Sequence, residues 1–449
     1  MNLPQKFEMR MKALLGERYP LYAEAMERPA VRALRANPFK TDRERLAALL
    51  PFETERLDFS PDGFLFSYDG VGNLPLHHAG AFYVQEPSAM FPVAAVPQDV
   101  SFSLILDLCA APGGKTSQAA ARLSDSGVIV SNEIVPSRMK ILASNIERMG
   151  IPNAVVTCAD TGRIASLFDS VFDLVIADVP CSGEGMFRKN PDAAAQWSEE
   201  NVALCAERGA AILDDAASCT AEGGYLLFST CTFSLEENEK QVSAFLDRHP
   251  EFELCPFSKE AVSATLPGVD VDGRDMSLTR RFYPFVSEGE GQFAALLRKC
   301  CGHTGSFCYT DCLTAPPANV KSAAESFLCE NLNGGRYELR AYKDSVVIPP
   351  PAFPVPKGAF ACGVTVGAVA GKVLKPHHQL FSCKGREFVR QTELASSDPS
   401  MAKYLSGEGF YTDSPDGWTA VLADGCPLGG GKAVSGYLKN HYPKGLRSL

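Results

Sequence analysis

Between Leu104 and Thr232 short apolar runs alternate with amphipathic stretches in a fixed order. Leu104–Cys109 leads into the turn Ala110–Lys115 and a helix, and Gly127–Glu133 is followed by a helix beginning near Pro136. Ala154–Asp160 precedes a short helix ending near Phe168. Phe172–Asp178 continues into Cys181, a long helical run covers Ser198–Ser218, and Gly224–Cys231 is followed by a helix over Leu235–Arg248. Gln292–Arg298, after the turn Glu288–Gly291, reads as the last strand. Strands of this kind alternating with helices predict an α/β protein with an open, doubly wound, mostly parallel sheet of about seven strands. Such sheets take ligands at the carboxyl ends of their strands, so the glycine turn, the strand-end acids, Cys181 and Cys231 should share one cleft.

The flanks have other periods. Pro4–Leu50 reads as helical, with Phe7, Met11, Leu14 and Leu15 at helical spacing and a second run around Val31, Leu34, Leu46, Leu49 and Leu50. Phe64–Tyr68, the turns Asp69-Gly70 and Gly72-Asn73, and Ala81–Val84 predict a small sheet that abuts the cleft, with Gln85–Met90 leading into the core. From Cys300 to Asn333 the pattern dissolves into small, polar and proline residues, as in a linker. Tyr337–Arg340, Ser345–Ile348, Gly363–Val366 and Gly429–Gly436 then predict a smaller, strand-rich unit. The expected division is an α+β amino-terminal domain at 1–90, the core at 91–300, a linker at 301–335 and a β-rich region at 336–449.

A length of 449 residues allows a large core and two or three domains. Fifteen scattered cysteines in so long a chain, with no apolar signal segment at Met1–Glu8, predict reduced thiols and a cytoplasmic protein. No run reaches the roughly 18 apolar residues of a membrane span, and no obligate protein partner is evident. A net charge of -10 excludes coating of nucleic acid by bulk charge, so an RNA site must be a local patch. Two stretches qualify: Arg28, Arg32, Arg35, Lys40, Arg43 and Arg45 near the amino end, and Lys432, Lys439, His441, Lys444 and Arg447 with Tyr437 and Tyr442 near the other. A solvated helix face or a frayed tail is the alternative for either.

The glycine turn narrows the chemistry. A phosphate loop would need glycine where Cys109 stands, and a dinucleotide turn would need a G-x-G-x-x-G that Cys109–Thr116 lacks. An S-adenosylmethionine site fits better: the turn and the helix amino end meet the amino-acid part of the cofactor, with Lys115 near its carboxylate. Glu133 can accept the ribose hydroxyls and Asp160 the adenine amino group, although either acid alone can be a helix cap or a solvated loop residue. Cys158, Cys205 and Cys219 read as small core residues. Cys181 and Cys231 instead sit just past buried strands among polar neighbours, where a thiolate can act as nucleophile. Methylation at carbon 5 of cytosine uses two thiols and a carboxyl, and spacing alone leaves open which thiol attacks.

Leu108–Thr116, Asp178–Lys189 and Ser229–Thr232 resemble the motifs of the Sun (Nol/Nop/Sun) family of RNA cytosine-5 methyltransferases. Tyr83–Met90, Glu288–Gly291 and Leu438–Arg447 are similar to its bacterial RsmF-type branch, so the likeness spans nearly the whole chain. The resemblance implies a Rossmann-like S-adenosylmethionine-dependent core, a PUA-like carboxyl-terminal RNA-binding domain, and ribosomal RNA or the small ribosomal subunit as partner. It implies Cys231 as nucleophile, Cys181 as the residue that assists release and Asp178 at the ring nitrogen. The cofactor would be held by Cys109, Ala110, Ala111, Pro112, Gly113, Gly114, Lys115, Glu133, Asp160 and Asp178. Two positions depart from the family pattern: Phe285 follows Tyr283-Pro284 where histidine is frequent, and Gly430 stands where a large aromatic is common. The alternatives are a non-catalytic ribosome-assembly factor and a methyltransferase for transfer RNA, DNA or protein. Cys300, Cys301, His303, Cys308 and Cys312 lack the paired spacing of a zinc site, and His77-His78 and His377-His378 read as loop residues. Trp197 reads as packing at a helix start, and Arg188 and Lys189 as candidate phosphate contacts.

Overall fold

The computed structural model describes residues 3–371 and 373–447; Met1 and Asn2, where the amino-terminal reading begins, lie outside the described residues. The core strands are β1 (Phe102–Asp107), β2 (Leu123–Asn132), β3 (Ala154–Thr157), β4 (Phe172–Asp178), β5 (Thr220–Thr230) and β6 (Gln292–Lys299). They lie in the order β6-β5-β4-β1-β2-β3, parallel except for β6, which runs antiparallel to β5. The chain goes outward from β1 to β3 and then returns to β4 on the other side of β1. Asp107 and Asp178 therefore end neighbouring strands at the switch of direction, where an open sheet parts its loops to form a crevice.

Helices cover both faces: α1 (Gly114–Ala120), α2 (Pro136–Met149), α3 (Thr161–Leu167), α4 (Glu199–Cys219) and α5 (Glu239–Arg248). In α2, Met139, Leu142, Ile146 and Met149 recur at helical spacing and are buried, and Gly150 ends the helix in the left-handed conformation at φ 71°. The Ser198 side chain caps α4 by accepting from the Asn201 amide at 3.1 Å, with Glu199 and Glu200 in the first turn where the helix dipole favours acids. The sheet has ten strands, three more than the pattern suggests. Leu266–Pro267, Arg280–Phe282 and Phe252–Cys255 extend the β6 side, and Ala361–Cys362 pairs with β3 from the carboxyl-terminal region. These pieces are two to four residues long, too short to show a period.

Two sequence expectations need correction, and one alternative falls away. Pro4–Leu50 is not helical throughout: Arg32–Ala36 is a strand between Gly63–Phe66 and Phe82–Val84, buried on both faces from Ala33 to Ala36. The supposed linker contains the helix Ala318–Asn331, whose Ala324, Phe327 and Leu328 face the carboxyl-terminal core, and Ser306–Phe307, which pairs with Phe168–Asp169. The carboxyl tail is folded rather than frayed: Tyr437–Asn440 is a strand, Tyr442 is buried, and Arg447 donates to the Tyr442 carbonyl.

The carboxyl-terminal region is tied to both other parts. Leu34, Phe64 and Phe82 share one core with Tyr404, Val421 and Leu438, and His378 contacts Glu147 of α2 at 2.8 Å.

Candidate active site

β1 ends in Asp107, and the chain turns through a cis Ala111–Pro112 peptide to Gly113, which precedes α1 at φ 109°. A side chain at Gly114 would meet Gln85 at 3.3 Å and Tyr83 at 3.4 Å, so the turn passes close beneath the amino-terminal domain. Between them lies a cavity of about 260 Å³ lined by Cys109–Pro112, Gly114, Lys115 and Asp178 on one side and Tyr83, Gln85 and Glu86 on the other. Asp107 also lines it and was missed in the sequence. Thr116 donates to its Oδ2 at 2.6 Å, its Oδ1 is buried without a hydrogen-bond partner, and burial pushes its pKa up to about 7. The available sign was an acid closing a buried strand directly before the turn. A glycine cradle and an unsatisfied buried acceptor fit a ligand with an amino-acid head.

Glu133 and Asp160 lie at the next two strand ends, outside the cavity lining. Glu133 is buried, accepts from the Val135 amide at 2.9 Å and pairs with Arg138 at 3.3 Å. Asp160 is exposed and caps α3 through Oδ1, accepting from the Arg163 amide at 2.8 Å. Lys115 lines the same cavity and pairs there with Asp178 at 2.9 Å. Burial pulls the lysine pKa down, but Asp178 outweighs it and the value is raised. Asp178 also accepts from Ser229 at 2.6 Å.

The two thiols meet. Cys181 follows β4 by three residues and Cys231 follows β5 directly; their sulfurs are 3.3 Å apart, and the Cys231 amide donates to Cys181 Sγ at 3.3 Å. The hydrogen bond to Cys231, together with burial, holds the Cys181 thiol well above its ordinary pKa. Gly185 lets the two turns close: its amide donates to the Cys231 carbonyl at 2.9 Å, and a Cβ there would come within 2.6 Å of the Gly291 carbonyl. Glu237, also missed, accepts from the Ser182 amide at 2.7 Å and the Ser182 hydroxyl at 2.5 Å. Its sign was an acidic run, Glu236-Glu237-Asn238-Glu239, that begins just past Thr-Cys-Thr and Phe233-Ser234-Leu235.

Other expectations resolve locally. Arg188 is buried against Glu290 at 2.9 Å and donates to the Ala25 carbonyl, so it is not a phosphate contact; Lys189 is exposed. Trp197 packs on Phe7 and donates to Glu184 at 2.9 Å. Phe285 stacks on Tyr283, which stacks on Phe233, so the frequent histidine is replaced by a ring in an aromatic column. At Gly430 a Cβ would lie 2.4 Å from the Phe381 ring, and that ring fills the space a large side chain would need. Cys205 and Cys219 are buried, whereas Cys158 is only partly so. His303 contacts Asp169 at 2.9 Å, Cys312 lies against the Pro356 carbonyl at 3.6 Å, and no three metal-ligating side chains converge among the described residues. His77 and His78 close a short helix, and His377 caps the one His378 begins.

The switch-point crevice, the glycine cradle and the strand-end acids define a Rossmann-type, S-adenosylmethionine-dependent methyltransferase. Family models match residues 3–87 (N-terminal domain of 16S rRNA methyltransferase RsmF), 94–298 (16S rRNA methyltransferase RsmB/F) and 391–448 (methyltransferase RsmF PUA domain). The ribosomal RNA small subunit methyltransferase F of Klebsiella pneumoniae is 31% identical over 99% of this chain and 96% of its own length. The chain belongs to the RsmF branch of the Sun family of RNA methyltransferases. The Cronobacter sakazakii protein of the same name is 31% identical over 95% of this chain and 92% of its own. A solved methyltransferase homologue from Pyrococcus horikoshii is 28% identical with a TM-score of 0.57, covering 66% of this chain and 95% of that one.

Proposed function

We propose that this chain methylates carbon 5 of cytosine in small-subunit (16S) ribosomal RNA through a covalent adduct of Cys231 at carbon 6. The observation that carries the reading is the thiol pair, 3.3 Å apart and contributed by neighbouring strands, beside an acid that lines the cofactor cavity. Carbon 5 of cytosine is not nucleophilic in the intact ring. Addition of the Cys231 thiolate at carbon 6 shifts an electron pair onto carbon 5, while Asp178, with Lys115 beside it, stabilises the ring at its nitrogen. S-adenosylmethionine supplies the methyl group that carbon 5 accepts. The carbon 5 proton then passes to a base, and Cys181, the thiol beside Cys231, assists release of the methylated product. That electron pair restores the double bond as the carbon–sulfur bond breaks and Cys231 leaves.

The residues that would hold the cofactor are Cys109–Lys115 in the turn, with Asp107 and Asp178 in the cavity wall and Glu133 and Asp160 at the ribose and adenine ends. The base must leave its stack to reach the thiols, so flanking RNA has to be held elsewhere. One face of the carboxyl-terminal sheet suits that role. Cross-strand partners Trp418, Lys432 and Lys439 form one row, Val434, Tyr437 and Tyr411 the next, and neither row contains an acid. Tyr411 is 84% exposed. Exposed rings beside lysines stack bases and track phosphates. Fifteen free cysteines support a cytoplasmic setting. Among the described residues no helix is long and apolar enough to cross a membrane.

The test is adduct trapping. With S-adenosylmethionine and small-subunit RNA, Cys181→Ala should accumulate a denaturation-resistant protein–RNA complex, and Cys181→Ala/Cys231→Ala should not. Methyl transfer by the wild type with no adduct from Cys181→Ala would overturn the two-thiol mechanism.

A further inference from the structure

The turns that carry Cys181 and Cys231 come from different strands, and their sulfurs can be aligned only if the turns are fixed to each other. The side chain between them is Glu237, which is 3% exposed and lies two residues before α5. It accepts from the amide and hydroxyl of Ser182, the residue after Cys181, and from the hydroxyl of Thr232, the residue after Cys231, at 2.7, 2.5 and 3.3 Å. The two hydroxyls are themselves 2.8 Å apart. Asn238 braces the same turn, accepting from Thr230 at 2.6 Å and donating to the Thr232 carbonyl at 2.9 Å. None of the ion pairs among the described residues includes Glu237, so nothing cationic offsets its burial.

We propose that Glu237 is a positioning residue: it locks the two thiol-bearing turns into one unit and sets its charge against Cys181. The inference rests on the two-thiol reading above. A buried carboxylate with three donors from two turns is a rigid bracket, because each lost bond leaves a polar group unsatisfied away from water. Its charge also opposes ionisation of Cys181, whose pKa is raised by Cys231, by burial and by Glu237 itself. Burial lifts the Glu237 pKa to about 7, with Glu184 adding to it. The titratable groups facing the bracket are Glu184, Cys181, Cys231 and Cys205.

The experiment measures the rate of RNA adduct formation in the Cys181→Ala background, and the pH profile of Cys181 alkylation by iodoacetamide in the full-length protein. Glu237→Ala should slow adduct formation about 100-fold, as displacement of a reacting group by roughly 1 Å does. Binding of S-adenosylhomocysteine should stay within about twofold, because Glu237 touches no part of the cofactor cavity. Glu237→Gln keeps an acceptor for the Ser182 amide and loses the charge. It should restore the adduct rate to within about tenfold of the parent and move Cys181 alkylation to lower pH. An adduct rate unchanged by Glu237→Ala, or a Cys181 profile unmoved by Glu237→Gln, overturns the proposal. If Glu237→Ala fails to fold, the Glu237→Gln profile still decides. Absence of any adduct from Cys181→Ala alone would instead count against the two-thiol reading.

Discussion

Arg35 and Lys40 near one end of the chain, and Lys432 and Lys439 near the other, belong to stretches that look alike in sequence, basic and free of large apolar runs. Folded, they differ. Arg35 is 1% exposed and donates to Gln85 at 3.1 Å, the Gly114 carbonyl at 3.2 Å and Ser117 at 2.7 Å, joining the amino-terminal domain to the cofactor turn. Lys40 is equally buried and donates to the carbonyls of Ser382 and Pro427, joining that domain to the carboxyl-terminal one. The arginines around them have partners too: Arg28 with Glu24, Arg32 with Asp69, the half-buried Arg43 with Glu44, and Arg45 with the Asp424 carbonyl. Arg35 and Lys40 are therefore joints inside the protein, and any RNA patch in this stretch rests on the arginines that remain at its surface. Lys432 and Lys439 are exposed on a sheet face with tyrosines beside them. Basic residues can serve as mortar between domains or as a phosphate-binding surface, and only the partners available after folding decide which.

The largest effect should come from Arg35. Arg35→Ala removes three donated bonds inside the protein, and we expect a loss of about 3–4 kcal/mol in stability with weaker S-adenosylhomocysteine binding. Arg35→Lys should recover little, since an ammonium cannot reproduce a planar fork. Chemical denaturation and calorimetric titration check both. Arg35→Ala unfolding at the wild-type midpoint would put Arg35 with the surface arginines.

Lys40 gives a smaller effect with a distinctive pH dependence. Burial lowers its pKa from 10.5 to about 8. Between those values the unfolded chain binds more protons than the folded one, so stability rises with pH across the window. The wild type should therefore gain on Lys40→Met as pH is raised from about 8 to 10.5, as followed by thermal unfolding of both. A constant difference across that window would mean that the ammonium is solvated.

How much of this was legible follows from the same contrast. Long strands flanked by amphipathic helices, such as β2 before α2 or β5 after α4, stand out from their surroundings, and the core and its glycine turn were read from that alternation. Asp178, Cys181 and Cys231 were legible because the first ends a buried strand and the two thiols follow buried strands within three residues. Asp107 and Glu237 escaped because an acid's burial depends on what covers it, and Gln85 and Ser182 are far from them in sequence. Ala361–Cys362 has two residues and no period, and only its partner β3 makes it a strand.

The exposed surface should respond in affinity and not in stability. Tyr411→Ala should weaken small-subunit RNA binding by about 1–3 kcal/mol if a base stacks there.

The smallest effect, and the sharpest discriminator, is that of Lys432→Ala/Lys439→Ala. Each lysine that neutralises a phosphate displaces counterion, so affinity falls with salt by about 0.7 log units per contact on single strands. The double variant should lose about 1.4 from the slope of log affinity against log salt, with weakening similar for all RNA sequences. Thermal unfolding should be unchanged, because both side chains are exposed and neither takes part in any ion pair among the described residues. An unchanged slope would mean that the carboxyl-terminal lysines, like Arg35 and Lys40, do not meet phosphate.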